Sequence, residues 1–278
     1  MKWYEKIQHI DSRIMYLILA VVIAVPLVWN VSLPIIVSPA VQGAYDAVEK
    51  IPANKIAIIS ANWAAGTIAE NKPQTEALMR HMFMKGKKFA ILSFDVQGSQ
   101  FARDISDGLA KEYGKTYGVD YVHWGFRPFS NIVLLIQGMG RDVPKSIGKD
   151  ISGTPISEIP MMKNIKTMKD IGLVVEITPS PTLDIWIAYA SPRPPMIYAP
   201  TAVMAPAGFN PLDAGQIQGM LTGMKGAAEY EKLIGRPDFA TKGTGALSTS
   251  HLLIIVLIIL GNLGLIISRI KGNKEAAG

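Results

Sequence analysis

Two long uncharged apolar runs lie near the two ends of the chain, and a stretch of ordinary polarity separates them. The first run extends from Ile14 to Val37 and the second from Leu252 to Ser268. A helix that crosses a hydrocarbon layer of ~30 Å needs about 20 such residues. The pattern therefore predicts transmembrane helices at 14–37 and 251–270, tails at 1–13 and 271–278, and a folded domain at 38–250.

Two other structures are compatible with runs of this kind. A buried core helix is usually shorter and interrupted by polar residues. A cleavable signal peptide has an apolar core of about 7–15 residues followed by small residues, and small residues do follow the first run at Ser38–Ala40. The length of the first run favours an uncleaved anchor.

Basic residues next to the two runs predict the orientation in the membrane. Lysine and arginine are enriched on the cytoplasmic side of membrane spans, and three of them lie at each end of the chain: Lys2, Lys6 and Arg13, and Arg269, Lys271 and Lys274. The inner flanks carry fewer. We therefore expect an integral protein of the cytoplasmic membrane with both termini cytoplasmic and the main domain extracytoplasmic.

The middle of the chain alternates short apolar runs with helical patterns. Strands are predicted at Lys55–Ser60, Phe89–Ser93, Asp120–Trp124, Asn131–Gln137, Gly172–Ile177 and Pro195–Ala199. Helices are predicted at Pro73–Lys85, Ser99–Tyr113, Thr182–Ala190 and Leu212–Ile234, with an irregular excursion at Arg141–Lys169 and a short helix near Lys163–Asp170. Such alternation is typical of an α/β domain with a mostly parallel, Rossmann-like sheet between two helical layers.

Glycines four residues apart in the last predicted helix indicate a close backbone contact. Glycine costs about 1 kcal/mol relative to alanine inside a helix, so Gly215, Gly219 and Gly223 on one stripe need a packing reason. The contact is either with the sheet or with a second copy of the chain. Asn262 in the second span can hydrogen-bond across a helix interface, so these four residues are the interface candidates.

Ligands of parallel α/β sheets bind beyond the carboxyl ends of the strands. Glycine backbone and an arginine can hold an anion there, and a buried carboxylate is a possible acid or base. The candidate ligand-binding residues are Ser93, Asp95, Gly138, Gly140, Arg141, Glu176 and Thr178. Simpler roles are also open: Asp95 suits an N-cap, and Gly138–Asp142 suits a tight turn.

Composition excludes several classes of chemistry. With no cysteine, the chain has no disulfide, no thiolate metal ligand and no cysteine nucleophile. The four histidines are scattered without an HExxH pattern, and no Gly-x-Ser-x-Gly elbow occurs. Half of the net charge of +6 lies at the two ends of the chain, in residues 1–13 and 269–278, so no dense basic face remains for nucleic acid. We expect no catalytic residue, no metal, no cofactor and no nucleic-acid partner.

Four phrases resemble a family of prokaryotic membrane-anchored α/β proteins with N- and C-terminal transmembrane helices. They are KEYGKTYGVDYV at 111–122, GMGRD at 138–142, GTPISEIPMM at 153–162 and GAAEYEKLIG at 226–235. The resemblance covers most of the chain. It implies the architecture alone, because no established activity and no catalytic residue come with it.

Three functions remain open from the sequence. The first is a non-catalytic membrane component that assembles with itself or with another membrane protein, with the lipid bilayer as its other partner. The second is a small-molecule-binding domain, acting in sensing or delivery. The third is a hydrolase or transferase that uses Asp95 and Glu176. The lack of a recognisable catalytic set favours the first.

Overall fold

The computed structural model describes residues 11–29 and 34–276, with side chains described for 11–28 and 34–270. Most of the predicted N-terminal tail, residues 30–33 of the first predicted span and the last two residues of the C-terminal tail lie outside the described residues. Two compact units are present: residues 35–240, and the terminal segments 1–34 and 241–278.

The α/β unit contains strands and helices in regular alternation. The strands are β1 Ile56–Ala61, β2 Phe89–Ser93, β3 Tyr121–Phe126, β4 Ile171–Thr178, β5 Met196–Pro200 and β6 Gly219–Met220. The label α1 is kept for the terminal helix Ser12–Trp29. The helices of the α/β unit are α2 Pro39–Glu49, α3 Ile68–Met84, α4 Val96–Tyr113, α5 Ile132–Met139, α6 Val143–Ile147, α7 Leu183–Tyr189, α8 Pro206–Asp213 and α9 Gly223–Leu233. Five of the six predicted strands are therefore confirmed to within two residues.

The six strands form one sheet in the order β3-β2-β1-β4-β5-β6, and all neighbouring pairs are parallel. The prediction of an α/β fold with a mostly parallel sheet is confirmed. Successive side chains of a strand point to opposite faces, and both faces are covered here. Ile59 of β1 belongs to one buried cluster and Ile58 to the other. Burial on both faces is the reason the strand sequences are almost continuously apolar.

The predicted strand at Asn131–Gln137 is wrong, because this segment forms α5. Its buried residues are Ile132, Leu135, Ile136 and Met139, which have helical spacing, whereas Leu134 is 71% exposed. A short apolar run does not distinguish a buried strand from a helix by itself. A 3-10 turn at Phe129–Asn131 leads directly into the helix.

The predicted helix at Leu212–Ile234 is also wrong, because two glycines in the left-handed region interrupt it. Gly215 has φ 67° and Gly223 has φ 54°, a backbone conformation that most residues adopt only with strain. The segment instead contains the end of α8, the short edge strand β6 and helix α9. The three glycines therefore do not form a helical stripe.

The excursion at Arg141–Lys169 packs along the edge strand β3. Its backbone N–H groups at Ile151 and Met161 donate to the carbonyls of His123 and Gly118. In place of the helix predicted near Lys163–Asp170, the structure has a 3-10 turn at Met168–Asp170. Thr167 is the N-cap of this turn and forms a capping box with Asp170.

The described part of the second unit contains two apolar helices, α1 at Ser12–Trp29 and α10 at Phe239–Ala276. The first two residues of α10 belong to the α/β unit. Within α10, Phe239–Ile270 is long and apolar enough to cross a membrane by length and composition. The Thr249 hydroxyl of α10 lies 3.2 Å from the Val22 carbonyl oxygen of α1.

The first predicted span differs from its expectation. Its described helix, α1, is 18 residues long, and residues 34–38 are not helical. Pro34 lacks an N–H donor, and Pro39 disfavours the helical conformation at the residue before it. The structure therefore gives no clear N-terminal transmembrane helix.

Replacement of Gly98 by alanine will destabilise the α/β unit. A Cβ at this position of α4 would lie 2.4 Å from the carbonyl oxygen of Ala61 and 2.7 Å from that of Trp63. Because backbone atoms cannot move aside cheaply, we expect Gly98→Ala to cost about 1–3 kcal/mol. Thermal unfolding of the full chain in detergent micelles, followed by circular dichroism, measures this loss.

Gly108→Ala is the matched control on the same helix, because nothing lies within 4 Å of a Cβ placed there. This variant should be stabilised by about 0.5–1 kcal/mol through the better helix propensity of alanine. Equal melting temperatures for the two variants would contradict the close approach of α4 to the end of β1.

Candidate functional site

The strand order places a topological switch point between β1 and β4. The chain proceeds from β1 to β2 and β3 on one side, and from β4 to β5 and β6 on the other. The connections that leave β1 and β4 therefore diverge, and the carboxyl ends of these two strands flank the crevice where open α/β sheets bind ligands.

Glu176 lies in β4 beside this switch point and is fully buried. In the parallel register it is the partner of Ser60 in β1 and of Tyr198 in β5. The three side chains therefore point to the same face of the sheet. A carboxyl group in the middle of a buried strand needs hydrogen-bond donors, because an isolated charge in an apolar interior is very costly.

Two neighbouring side chains donate to one oxygen of this carboxyl. Asn62 Nδ2 lies 2.6 Å from Glu176 Oε1 and 2.8 Å from Ser60 Oγ, and the Thr182 hydroxyl donates to the same Oε1. The amide oxygen of Asn62 accepts the backbone N–H of Phe94 at 2.7 Å. The Asn62 side chain thus connects the ends of β1 and β2 with β4.

Burial raises the pKa of Glu176 to about 7, and the nearby polar side chains of Ser60, Thr182, Asn62 and Trp186 oppose this increase. Tyr198 faces the carboxyl from β5, and burial raises the pKa of its phenol as well. With this pKa, the buried carboxyl of Glu176 is partly protonated and partly ionised near neutral pH.

Three polar atoms around this carboxyl have no hydrogen-bond partner among the described residues: Glu176 Oε2, Trp186 Nε1 and Tyr198 Oη. All three side chains are buried. We call the set of Ser60, Asn62, Glu176, Thr182, Trp186 and Tyr198 the Glu176 cluster.

The other residues predicted near the strand ends have local hydrogen bonds. Ser93 Oγ lies 2.5 Å from the carbonyl oxygen of Ala61. Asp95 is the N-cap of α4, since its carboxylate accepts the Gly98 N–H at 2.9 Å. Thr178 Oγ1 accepts the Ser180 N–H at 2.9 Å. A ligand-binding role for Ser93, Asp95 and Thr178 stays a prediction.

Gly138, Gly140 and Arg141 are not at a strand end, because Gly138 lies in the helix α5 and the other two residues come directly after it. A Cβ on Gly138 would lie 2.6 Å from Ser146 Oγ, and one on Gly140 would lie 2.6 Å from the Ser191 carbonyl oxygen. Close packing of the C-terminal end of α5 accounts for both glycines. A ligand-binding role for Gly138, Gly140 and Arg141 stays a prediction.

The interface candidates are separated as well. A Cβ on Gly219 would lie 2.1 Å from the backbone nitrogen of Ala44, so this glycine allows β6 to approach α2 within the chain. Gly215 lies in a turn, and Gly223 begins α9. Asn262 donates to the Ile258 carbonyl oxygen of its own helix at 2.8 Å. An interface role for these residues stays a prediction.

A second buried polar group lies between α2, α3 and α9. His81 Nδ1 is 2.7 Å from the Tyr230 hydroxyl, and His81 Nε2 is 3.2 Å from Glu49 Oε1. Lys85 lies 2.7 Å from the same Glu49 oxygen and lowers the pKa of this carboxyl to about 2. Burial lowers the pKa of His81. The group links three helices through one continuous set of hydrogen bonds.

Sequence reasoning found Glu176 but missed Asn62, Thr182, Trp186 and Tyr198. Asn62 lies two residues after a predicted strand and Thr182 is the first residue of a predicted helix, which are positions where side chains reach a sheet edge. For Trp186 and Tyr198, the sequence indicates only that they are aromatic residues of the core. Among the described residues, no group of three histidine, aspartate or glutamate side chains is placed to hold a metal ion.

Replacement of Glu176 by glutamine will remove a pH dependence of stability. Between its ordinary pKa of 4.5 and about 7, the folded protein binds more protons than the unfolded chain. The free energy of unfolding therefore decreases as the pH rises through this range and levels off above it, with a total loss on the order of 3 kcal/mol. Glutamine stays neutral and retains an oxygen for Asn62 and Thr182, so Glu176→Gln should lack this decrease. Thermal unfolding of the full chain in micelles between pH 4.5 and 8 tests this.

Glu158→Gln is the control, because Glu158 is exposed on a 3-10 turn. It should keep the pH profile of the parent protein. The same decrease between pH 4.5 and 7 in Glu176→Gln would show that another group is responsible.

Comparisons with known proteins give no match: no family model, no curated protein and no solved structure matches this chain.

Proposed function

We propose that this chain is a membrane-anchored, non-catalytic structural or assembly component, which presents its α/β domain at the surface of the cytoplasmic membrane. The observation that carries the proposal is the helix α10, whose segment Phe239–Ile270 is 32 residues long and largely apolar. Its aliphatic side chains are mostly exposed, as in Ile255 and Ile258, whereas a core helix of a soluble protein buries such residues.

A second membrane segment at 14–37 belongs to the same proposal. Helix α1 is apolar, and its Val22 carbonyl lies beside the Thr249 hydroxyl of α10. Polar contacts of this kind stabilise helix pairs in a bilayer. The basic residues of the two tails support cytoplasmic termini and an extracytoplasmic domain.

Assembly is supported by large apolar side chains that remain exposed after the strand ends. Val96 follows β2, Phe129 follows β3, and Val203 and Phe209 follow β5, with exposed fractions of 63%, 54%, 85% and 50%. The carboxyl ends of parallel strands lie at one edge of the sheet, so these residues share that edge. Exposed apolar patches on soluble surfaces usually mark interaction sites. We expect a homo-oligomer, or a complex with another membrane protein, that buries this apolar edge.

The polar side chains at the same edge favour this role over a ligand-binding or hydrolytic one. Asp95 caps α4, Thr178 bonds within its own loop, and Asn62 bonds to Glu176. Each of these groups is engaged with the protein itself, so none of them is presented to a substrate in this arrangement.

Single cysteines introduced into this cysteine-free chain will report its orientation. Ser130 is exposed on the turn before α5, and Asn273 lies in the C-terminal tail. A membrane-impermeant maleimide should label Ser130→Cys in spheroplasts, and it should label Asn273→Cys only after the membrane is permeabilised.

Ala102→Cys is the control for exposure, because Ala102 is buried in α4 and should react only after denaturation. Release of the protein from membranes by alkaline carbonate would contradict the anchor. Labelling of Asn273→Cys in sealed spheroplasts would contradict the proposed orientation.

A charged substitution at the apolar edge will disrupt the assembly. Val203→Asp combined with Phe209→Asp should reduce the particle size of the protein in a mild detergent, measured by size-exclusion chromatography with light scattering. Val119→Asp is the matched control, since this residue is 44% exposed but precedes β3 at the opposite edge. A parent protein that elutes as a monomer without a bound partner would contradict the assembly role.

A further inference from the structure

The three unpartnered atoms of the Glu176 cluster belong to side chains from three elements. Glu176 comes from β4, Tyr198 from β5 and Trp186 from α7. All three residues have 0% exposure. A buried polar group without a hydrogen bond costs free energy comparable to a lost bond, so three such groups around one carboxyl call for a common explanation.

The three side chains face the same region. Tyr198 is the register partner of Glu176 on the adjacent strand. Trp186 lies one helical turn after Thr182, whose hydroxyl donates to Glu176, so both side chains are on the face of α7 that meets the carboxyl. The Trp186 indole N–H has no hydrogen-bond partner among the described residues. One small molecule among these groups would give each of the three atoms a partner.

The chemistry of the three groups defines the molecule. The indole N–H only donates, the phenol both donates and accepts, and Oε2 accepts when ionised and donates when protonated. An anion would be repelled by the carboxylate, and a cation would face the indole N–H. A neutral molecule that both donates and accepts satisfies all three groups in either protonation state, and their complete burial limits its size.

We propose that Glu176 Oε2, Trp186 Nε1 and Tyr198 Oη together bind one water molecule, which connects β4, β5 and α7 beside the switch point. Buried waters in proteins make about three hydrogen bonds to polar groups that otherwise lack partners. This site goes beyond the membrane and assembly role proposed above and does not depend on it.

The sign of the stability change tests the site. If the Tyr198 hydroxyl bonds to the water, Tyr198→Phe will lower the melting temperature of the full chain in micelles by roughly 2–4 °C. If the hydroxyl has no partner, its removal will leave the melting temperature unchanged or raise it, because phenylalanine buries no polar atom there. The second result overturns the proposal.

A pair of tryptophan substitutions provides the matched control. Trp124 is also fully buried with an unpartnered indole N–H, but it lies in β3, three strands from β4 and therefore about 14 Å away. Trp186→Phe and Trp124→Phe both remove a ring and an N–H. We expect Trp186→Phe to cost more, and we expect the double variant with Tyr198→Phe to lose less than the sum of the single losses. With Trp124→Phe the losses should add. Additive losses at both positions overturn the proposal.

A crystal structure of the full chain at high resolution provides the direct observation. We expect a single peak of density within about 3.2 Å of all three atoms. Density that extends beyond one atom would overturn water in favour of a larger ligand, and direct contact between the three side chains would overturn the site itself.

Discussion

The carboxyl group of Glu176 in the middle of the sheet is the constraint on which the local structure depends. A charge in this position is too costly without donors, so the protein surrounds it with side chains from β1, β5 and the segment that leads into α7. Asn62 is central to this arrangement. It donates to Glu176 and accepts from the backbone of Phe94, so one amide holds the ends of three strands in register. The same network removes Asn62 and Thr182 from the set of groups that a ligand could reach.

Close backbone approach is the second constraint, and glycines provide it. Gly98 brings α4 against the end of β1, and Gly219 brings the edge strand β6 against α2. On the same face of the sheet, Tyr230, His81 and Glu49 link α9, α3 and α2 through hydrogen bonds. Helices on one face of the sheet are therefore held both by close backbone contacts at glycines and by hydrogen bonds between specific polar side chains. This combination restrains these helices against the sheet.

The distribution of polar and apolar side chains at the carboxyl edge of the sheet supports the proposed role. Polar side chains at the carboxyl edge turn inward and bond to the protein, whereas Val96, Val203 and Phe209 remain outside. This is the edge at which open α/β sheets bind ligands. A domain held at a membrane by an apolar helix gains from a rigid surface with exposed apolar residues, because such a surface binds partners with little loss of conformational freedom.

The sequence by itself determined the fold class, five strands and the C-terminal apolar helix, because these depend on local hydrophobic pattern and length. It did not determine the structure of Asn131–Gln137 or of Leu212–Ile234. In the first, a short apolar run fits a strand and a helix equally well, and in the second the backbone conformation of Gly215 and Gly223 decides where the helices end. Glu176 was recognisable as a buried carboxylate that needs a partner. Its partner Asn62 is 114 residues away in the chain, and only the adjacency of β1 and β4 brings the two together. Strand order is a property of the whole folded sheet, since it depends on which distant surfaces pack best, and no local pattern encodes it.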